Sequence, residues 1–263
     1  RSGRREAARM SFSIDAVAEF EDFVEDMYDF ADEQALSVDT LIHENGAAQL
    51  EINFNHGDPL DMADQVFVFK RTVRETAQRH NMYATFMAKP MQKEPGSALH
   101  IHQSILSLAT GDNIFNGADD QPTPELMHYI AGLQRYTPDL ISFYAPNVNS
   151  YRRLAPDISA PINLSWGYDN RTTAFRVPDS TPINRRVENR FPGADANPYL
   201  AIAASLASGL LGLEHRLQPT APHQGTANDD SVEVARSLEE AVRRLNANTD
   251  LARVMGGLFL RAY

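Results

Sequence analysis

Cysteine is absent from this sequence, and its absence excludes both a disulfide framework and a thiol nucleophile. A chain without disulfides suits a reducing compartment, so we expect the protein to act in the cytoplasm. Long apolar runs are also missing. The longest apolar-rich stretch, residues 199–213, is too short to cross a bilayer and carries Ser205 and Ser208, so no membrane partner is expected.

Basic residues are the minority among the charged ones, with 24 Lys and Arg against 35 Asp and Glu and a formal net charge of −11. An acidic surface disfavours nucleic acid and anionic membranes, and it tolerates or attracts a cationic substrate. The sequence also lacks a Walker A motif and the glycine-rich loop of protein kinases, which argues against the common nucleotide-binding folds. Its 263 residues suffice for one large domain or two small ones.

Caps and periodicity predict three elements at the start of the chain. The first is a helix capped by Ser13, with apolar residues every three or four positions and a densely acidic opposite face. The second is a hairpin, because two alternating runs flank Asn45-Gly46. The third is a helix that Asp58 caps. The predicted bounds are 13–34 for the first helix, 38–54 for the hairpin and 58–80 for the second helix.

The remainder of the chain mixes strands with helices, and the strands are joined by hairpins as often as by helices. This order predicts an α+β fold with a mainly antiparallel sheet. Strands are expected at 83–91, through the histidines at 100 and 102, and at 162–168, 172–177 and 186–191. Helices are expected to begin after Thr123, Thr137, Asn197 and Ser237.

A histidine pair makes one predicted strand a candidate site. His100, His102 and Ser104 are two residues apart and alternate with apolar residues, so their side chains would share one strand face. Two imidazoles and a hydroxyl on one face suit a metal or phosphate site. A solvated, idle histidine pair at a strand edge is the alternative interpretation.

Three carboxylates also lie on predicted strands. Glu44 and Glu51 occupy opposite arms of the hairpin, where single carboxylates are usually surface residues. Glu188 lies between Arg186 and Arg190 on one strand face. Such a glutamate either neutralises its arginines in a surface ladder or binds a metal beside phosphate-binding guanidiniums.

Arginine is concentrated in one part of this acidic chain, which indicates a bound anion such as a nucleotide phosphate or a substrate carboxylate. Together with imidazoles and carboxylates for a divalent metal, this pattern predicts ATP-dependent phosphoryl chemistry. The arginines of this segment are Arg152, Arg153, Arg171, Arg176, Arg185, Arg186 and Arg190.

Six ordered motifs resemble the catalytic domain of the glutamine synthetase family, and the resemblance covers nearly the whole chain. It implies an α+β fold with a curved, mainly antiparallel sheet, a half-barrel, flanked by helices. The motifs are His-Glu44 with Gly-Ala-Ala-Gln-Leu-Glu51, Lys89-Pro-Met with Gly96-Ser-Ala-Leu-His100-Ile-His102-Gln-Ser104, Asn149-Ser-Tyr-Arg-Arg153-Leu, Asn170-Arg171 with Arg176-Val-Pro, Arg186-Val-Glu188-Asn-Arg190-Phe-Pro, and Asn197-Pro-Tyr-Leu.

The resemblance implies an ATP-dependent ligase that phosphorylates the γ-carboxylate of glutamate and lets an amine displace phosphate from γ-glutamyl phosphate. The implied cofactors are ATP and two or more Mg²⁺ or Mn²⁺ ions. Glu44 and Glu51 would bind the metal nearer the substrate, and His100 and Glu188 would bind the metal that bridges the β- and γ-phosphates of ATP.

The remaining implied roles concern the substrates. ATP would be contacted by His102, Ser104, Arg176 and Arg186. Glutamate would be held by its γ-carboxylate on Arg153 and by its backbone end at Gly96. Arg171 and Arg190 would stabilise the transferring phosphoryl group.

Two departures from the family pattern bear on the amine. Ser159 replaces a flap glutamate that helps glutamine synthetases bind and deprotonate ammonium, and Pro95 replaces an asparagine beside the glutamate site. In these features the chain is similar to bacterial γ-glutamylpolyamine synthetases and related glutamate–amine ligases. Glutamine synthesis from ammonia is the first alternative, and a non-catalytic structural or regulatory homologue is the second.

The resemblance also concerns the organisation of the protein. It implies that residues 1–263 form the catalytic domain, without the family's N-terminal β-grasp domain and with an incomplete C-terminal end. It further implies a homo-oligomer of two stacked six-membered rings, with active sites between subunits. Because further metal carboxylates lie outside these residues in the family, we expect this chain alone to turn over little or nothing.

Overall fold

The computed structural model describes residues 11–155, 160–227 and 234–263. The predicted first helix is divided into α1, Ile14–Ala18, and α2, Glu21–Glu33. Ser13 caps α1 as predicted, because its side chain accepts a hydrogen bond from the backbone N–H of Ala16. The prediction of one continuous helix was wrong, since Phe20 leaves helical geometry at φ −112° and ψ 16°.

The predicted hairpin is confirmed. Strand β1, Val38–His43, pairs antiparallel with β2, Leu50–Phe54, and Ile42 lies opposite Glu51. The connection is longer than a two-residue Asn-Gly turn, because the Glu44 N–H donates to the Gln49 carbonyl and residues 44–49 form the loop. Helix α3, Pro59–Arg79, follows and begins at the predicted cap, with Asp58 accepting from two backbone N–H groups.

The hairpin and the first long helices share a small core. Phe23 and Met27 of α2 pack with Phe69 and Val73 of α3, and apolar residues of β1 and β2 cover them. Burial of these side chains fixes the hairpin against α3. The position of the hairpin carboxylates therefore depends on this core.

A four-stranded sheet lies at the centre of the described fold, and it is mainly antiparallel as predicted. Its strands are in the order β3-β6-β5-β4, and only β4 and β5 are parallel. Each strand is shorter than its predicted segment. The strands are β3, Ile101–Gln103; β4, Trp166–Tyr168; β5, Phe175–Val177; and β6, Val187–Asn189.

The predicted strand at 83–91 was wrong. The segment keeps an alternating exposure up to Met87, but within the described residues it joins no ladder. One of its backbone amides, that of Lys89, donates instead to the side chain of Asn149. Alternation indicates a segment with two different faces, and without a paired neighbour it does not make a strand.

Two long helices pack on the sheet and form the main core. Helix α4, Pro124–Tyr144, begins after Thr123 as predicted but continues through Pro138, so the predicted new start at Thr137 was wrong. Burial of both turns around Pro138 outweighs the lost hydrogen bond. Helix α5, Pro198–Glu214, is capped by Asn197, and the two helices make the most extensive contact in the described fold.

Three short helices close the chain on the same core. They are α6, Leu238–Ala247, which Ser237 caps as predicted, α7, Thr249–Met255, and α8, Gly257–Ala262. Leu245, Leu251 and Leu260 are buried against α4 and α5. Among the described helices, none combines the length and apolar content that a bilayer crossing requires.

Candidate active site

One row of side chains crosses three strands of the four-stranded sheet. His102 of β3 lies opposite Glu188 of β6, and Glu188 lies opposite Arg176 of β5. The alternation predicted for β3 is confirmed, since His102 and Ser104 are exposed while Ile101 and Gln103 are buried. Cross-strand neighbours share a face, so an imidazole, a carboxylate and a guanidinium stand side by side.

Glu188 is the centre of this row and is only 2% exposed. Arg176 Nη1 donates to one carboxylate oxygen at 2.8 Å, and Arg190 Nη1 donates to the other at 2.7 Å. His100 Nδ1 lies 3.2 Å from the same oxygen as Arg190. Burial alone would raise the pKa of Glu188, but the hydrogen bond from His100 and the neighbouring positive charges hold this pKa well below its usual range.

The two histidines are close to Glu188, and the pKa of each is lowered, which favours the neutral imidazole. Burial lowers the pKa of His100 to about 4, although Glu188 opposes this shift. Although the His102 side chain is 41% exposed, partial desolvation of its imidazole lowers its pKa, the charge of Glu188 opposes this shift, and Arg186 adds to the lowering. Arg186 Nε donates to His102 Nδ1 at 3.2 Å, which requires that nitrogen to be unprotonated. Neutral imidazole is the form that binds metals.

The hairpin supplies two further carboxylates, Glu51 on β2 and Glu44, which lies in the loop directly after β1 and not on a strand as predicted. The pKa of Glu51 is raised by burial first, and then by the charges of Glu44 and Glu188. Arg171, which lies in the exposed turn before β5, lowers the same pKa. The hairpin carboxylates and the sheet carboxylate therefore lie within electrostatic reach of one another, although they belong to different sheets.

These residues fit a divalent cation by their donor chemistry, although they do not form a complete cage. Among the described residues, no group of three His, Cys, Asp or Glu side chains is close enough to hold a metal ion. Mg²⁺ is usually bound by one or two carboxylates together with waters and substrate phosphates. The negative charges of Glu44 and Glu188 repel the Glu51 carboxylate, and a bound cation would offset this repulsion.

Gly96 and Arg153, two predicted substrate residues, are in contact. A Cβ at Gly96 would lie 2.8 Å from the Ala88 carbonyl oxygen and 2.8 Å from Arg153 Cγ, so only glycine fits there. Arg153 is 3% exposed, and its guanidinium donates to the Phe191 and Arg190 carbonyls at 2.7 and 3.0 Å. Burial and the neighbouring Arg190 lower its pKa to about 10.

The other predicted residues are distributed differently. Ser104 follows β3 on the exposed side, and Ser159 lies outside the described residues. Arg185 turns away from the row, donating to the Asn116 side chain and the Asp120 carbonyl. The arginine-rich segment therefore contains structural arginines as well as those of the row.

Sequence reasoning missed some polar residues that surround the row. Asp169 accepts a hydrogen bond from Arg176 at 3.2 Å, so the row extends to a residue just outside the paired strands. Gln49 bridges the hairpin loop to the segment before β3, with its Nε2 donating to the Gly96 carbonyl at 3.0 Å. Gln103 occupies a core position on β3, and a polar residue on an otherwise apolar face was the available signal.

Comparisons with known proteins agree with this geometry. The family model described as "Glutamine synthetase, catalytic domain" matches residues 1–263. The chain is 37% identical over 254 residues to the gamma-glutamylputrescine synthetase PuuA of Escherichia coli (strain K12), covering 96% of this chain and 54% of that protein. It is 42% identical over 217 residues to a glutamate–isopropylamine ligase of Pseudomonas sp, covering 81% and 47%.

Glutamine synthetases are similarly close. The enzyme of Pyrococcus abyssi (strain GE5 / Orsay) is 38% identical over 210 residues, covering 80% of this chain and 47% of that protein. A solved structure titled "GmaS/ADP complex-Conformation 1" matches with a TM-score of 0.85 and 31% identity, over 97% of this chain and 62% of that one. The chain spans about half the length of the curated relatives it matches. The fold, the motifs and these similarities together establish that the chain belongs to the glutamine synthetase catalytic-domain family.

Proposed function

We propose that this chain is the catalytic part of an ATP-dependent ligase that joins the γ-carboxylate of glutamate to an amine. The observation that carries the proposal is the row across the sheet. Neutral imidazoles and a carboxylate suited to a divalent cation stand beside Arg176 and Arg190, which suit phosphate. Carboxylates alone would fit a metal site, and arginines alone would fit an anion site. Their combination fits a nucleotide triphosphate with its metal ions.

The proposed reaction has two steps. A γ-carboxylate oxygen of glutamate attacks the γ-phosphorus of ATP, the bond to the bridging oxygen breaks, and ADP leaves. The amine nitrogen then attacks the acyl carbon of γ-glutamyl phosphate, phosphate leaves with its oxygen, and the nitrogen loses a proton. The first step is needed because oxide is a poor leaving group from a carboxylate, whereas phosphate is a good one.

The proposed roles follow the positions described above. Glu44 with Glu51, and His100 with Glu188, would hold Mg²⁺ or Mn²⁺, which offsets negative charge around the phosphates. The residues proposed for ATP are His102, Ser104, Arg176 and Arg186. Gly96 and Arg153 are proposed for glutamate, and Arg171 and Arg190 for the transferring phosphoryl group. Because the Arg153 guanidinium already donates to two backbone carbonyls, its role at glutamate uses its remaining N–H groups.

An amine larger than ammonia is the preferred second substrate. Ser159 offers a hydroxyl where the family pattern has a carboxylate for ammonium, which leaves room for a substituted nitrogen. The names of two relatives, for putrescine and isopropylamine, support this preference. Glutamine synthesis is the second candidate, because the Pyrococcus relative is about as similar.

The experiment is phosphate release by the full-length protein with ATP, glutamate and Mg²⁺ or Mn²⁺. Ammonia, putrescine, spermidine and isopropylamine are compared as the amine. We expect turnover with at least one substituted amine at concentrations where ammonia gives little. A Ser159→Glu variant is expected to move the preference towards ammonia. Activity with ammonia alone would establish the second candidate, and inactivity with every amine would favour a non-catalytic homologue.

Three further proposals accompany this function. The central sheet is proposed to be part of a half-barrel, since its mixed strand order agrees with the fold that the sequence resemblance implies. The whole protein is proposed to form a homo-oligomer of two stacked hexameric rings. The protein is also proposed to act in the cytoplasm, which its cysteine-free sequence suits.

A further inference from the structure

A second, uncharged polar cluster lies on the opposite side of the sheet from the row. Gln103 directly follows His102 on β3, and Asn189 directly follows Glu188 on β6. Successive strand residues point to opposite faces, so these two amides point towards α5. Gln103 is 7% exposed and Asn189 is fully buried. Each member of the central pair of the row therefore has a buried amide as its chain neighbour.

A single hydroxyl joins the two amides. Ser205 of α5 is fully buried, and its Oγ donates to Gln103 Oε1 at 2.7 Å. The same Oγ accepts from Asn189 Nδ2 at 3.0 Å. Asn189 Oδ1 in turn accepts from the Phe191 N–H at 3.1 Å. This chain of hydrogen bonds connects β3, β6 and the segment after β6 to one helix.

Ser205 does not behave as a helical serine usually does. A serine inside a helix commonly donates to the carbonyl four residues earlier, and Ser208 of the same helix does so, to Ala204 at 2.9 Å. Ser205 instead uses both its donor and an acceptor lone pair on the two strands. A buried amide oxygen without a donor is costly, so the contact of Gln103 Oε1 with Ser205 is favourable only with β3 and β6 at their observed positions over α5.

We infer that Ser205 is a positioning residue for the proposed site. Its hydroxyl fixes the register of β3 against β6, and that register sets His102 opposite Glu188. A one-residue slip of a strand would turn every side chain to the other face, so register decides whether imidazole and carboxylate can bind the same ligand. The inference rests on the proposed function for the identity of that ligand, a divalent cation with a nucleotide.

The test compares Ser205→Ala with Ser208→Ala in the full-length protein. Both substitutions remove one hydroxyl from a fully buried position of α5, and only the first removes a contact to the strands. The readouts are Mn²⁺ affinity by electron paramagnetic resonance, KM for ATP, kcat and the melting temperature. We expect Ser205→Ala to weaken Mn²⁺ binding about tenfold, as loss of outer-shell partners does, and to raise KM for ATP. Ser208→Ala is expected to keep the wild-type Mn²⁺ affinity and KM.

Each outcome decides the inference separately from the function. Equal Mn²⁺ affinities in the two variants overturn it, even if both melt at lower temperature. If the unsubstituted protein releases no phosphate with any amine, the proposed function fails while the Mn²⁺ titration still tests Ser205. If Ser205→Ala does not fold, Gln103→Met takes its place, since it keeps the side-chain length and removes the acceptor. A wild-type Mn²⁺ affinity in Gln103→Met would then overturn the inference.

Discussion

Glu188 illustrates how a single residue concentrates the charge of this site. A carboxylate at 2% exposure would be strongly destabilising by itself. Two guanidiniums and an imidazole surround it, and each donates or lies within 3.2 Å. Buried ion pairs of this kind are weak contributors to stability, because desolvation opposes the attraction. A binding function explains the ion pairs of Glu188 better than a contribution to stability does.

Lys70 carries a half-buried charge, far from the row in sequence. Its Nζ donates to the Ala194 and Ala196 carbonyls at 2.7 and 3.0 Å, tying α3 to the loop after β6. Burial, followed by the charge of Arg74, lowers its pKa from 10.5 to about 8. Between pH 8 and pH 10.5, Lys70 is therefore protonated in the unfolded chain and deprotonated in the folded protein.

Stability is therefore expected to rise with pH across that window because of Lys70. The unfolded state binds more protons, so this group alone adds about 1.4 kcal/mol per pH unit to the free energy of unfolding. In Lys70→Met the contribution is absent, so the free energy of unfolding of the wild type minus that of the variant should increase from pH 8 to 10.5. Urea denaturation at several pH values measures it. Parallel curves for the wild type and Lys70→Met would contradict the prediction.

At the scale of the element, α4 and α5 cross with their backbones in contact. A Cβ at Gly132 would lie 2.2 Å from the Ser208 carbonyl oxygen and 2.7 Å from Gly212 Cα. A Cβ at Gly212 would lie 2.2 Å from the His128 carbonyl oxygen. These are backbone atoms of two packed helices, so neither can move without moving its helix.

Gly132→Ala is expected to destabilise the protein by about 1 to 3 kcal/mol, the usual effect of overpacking a core. The sign of the change in stability is the decisive result, because a glycine-to-alanine substitution at an uncrowded helical position stabilises a protein by about 0.4 to 1 kcal/mol. Chemical denaturation measures the difference.

The control for that substitution is Gly57→Ala. There the new Cβ would face the flexible end of the Met62 side chain at 3.1 Å. We expect its effect to stay within about 0.5 kcal/mol. A Gly132→Ala protein as stable as the wild type would show that the helices do not meet as described.

Local signals predicted the helices better than the strands. Ser13, Asp58, Asn197 and Ser237 were found from the sequence because a cap and its periodic segment are encoded within a few residues. The break at Phe20 and the continuation through Pro138 were not found, and for Pro138 the burial of the surrounding turns was decisive. The segment at 83–91 has strand-like alternation, but pairing depends on a neighbour that periodicity does not reveal.

The site followed the same division. The shared face of His102 and Ser104 follows from alternation within one strand. The electrostatic influence of Glu188 on Glu51 depends on where the hairpin lies relative to the sheet, and no local pattern in the sequence encodes that position. The contacts of Ser205 could not be predicted from its position in an apolar helix, because its two partners lie 16 and 102 residues away in sequence. Roles at the bound substrates remain predictions.

Over the whole molecule, charge is divided between an acidic surface and a mixed site. The net charge is −11, and α2 alone carries several exposed acidic side chains such as Glu25. A divalent cation could act by screening this surface or by binding the converging carboxylates. Screening would depend on any exposed carboxylate, whereas binding would depend on the carboxylates of the site.

Mn²⁺ is expected to raise the melting temperature of the full-length protein through Glu51. A ligand that binds only the folded state stabilises it by about 2.7 kcal/mol at one hundred times its dissociation constant. Glu51→Gln should abolish most of this gain, whereas Glu25→Gln, which removes the same charge from exposed α2, should leave it intact. Glu51 also repels Glu44 and Glu188, so Glu51→Gln should melt above the wild type without the metal and below it with the metal. Equal Mn²⁺ responses in the two variants would mean that the cation acts on the acidic surface, and that the hairpin carboxylates are not its ligands.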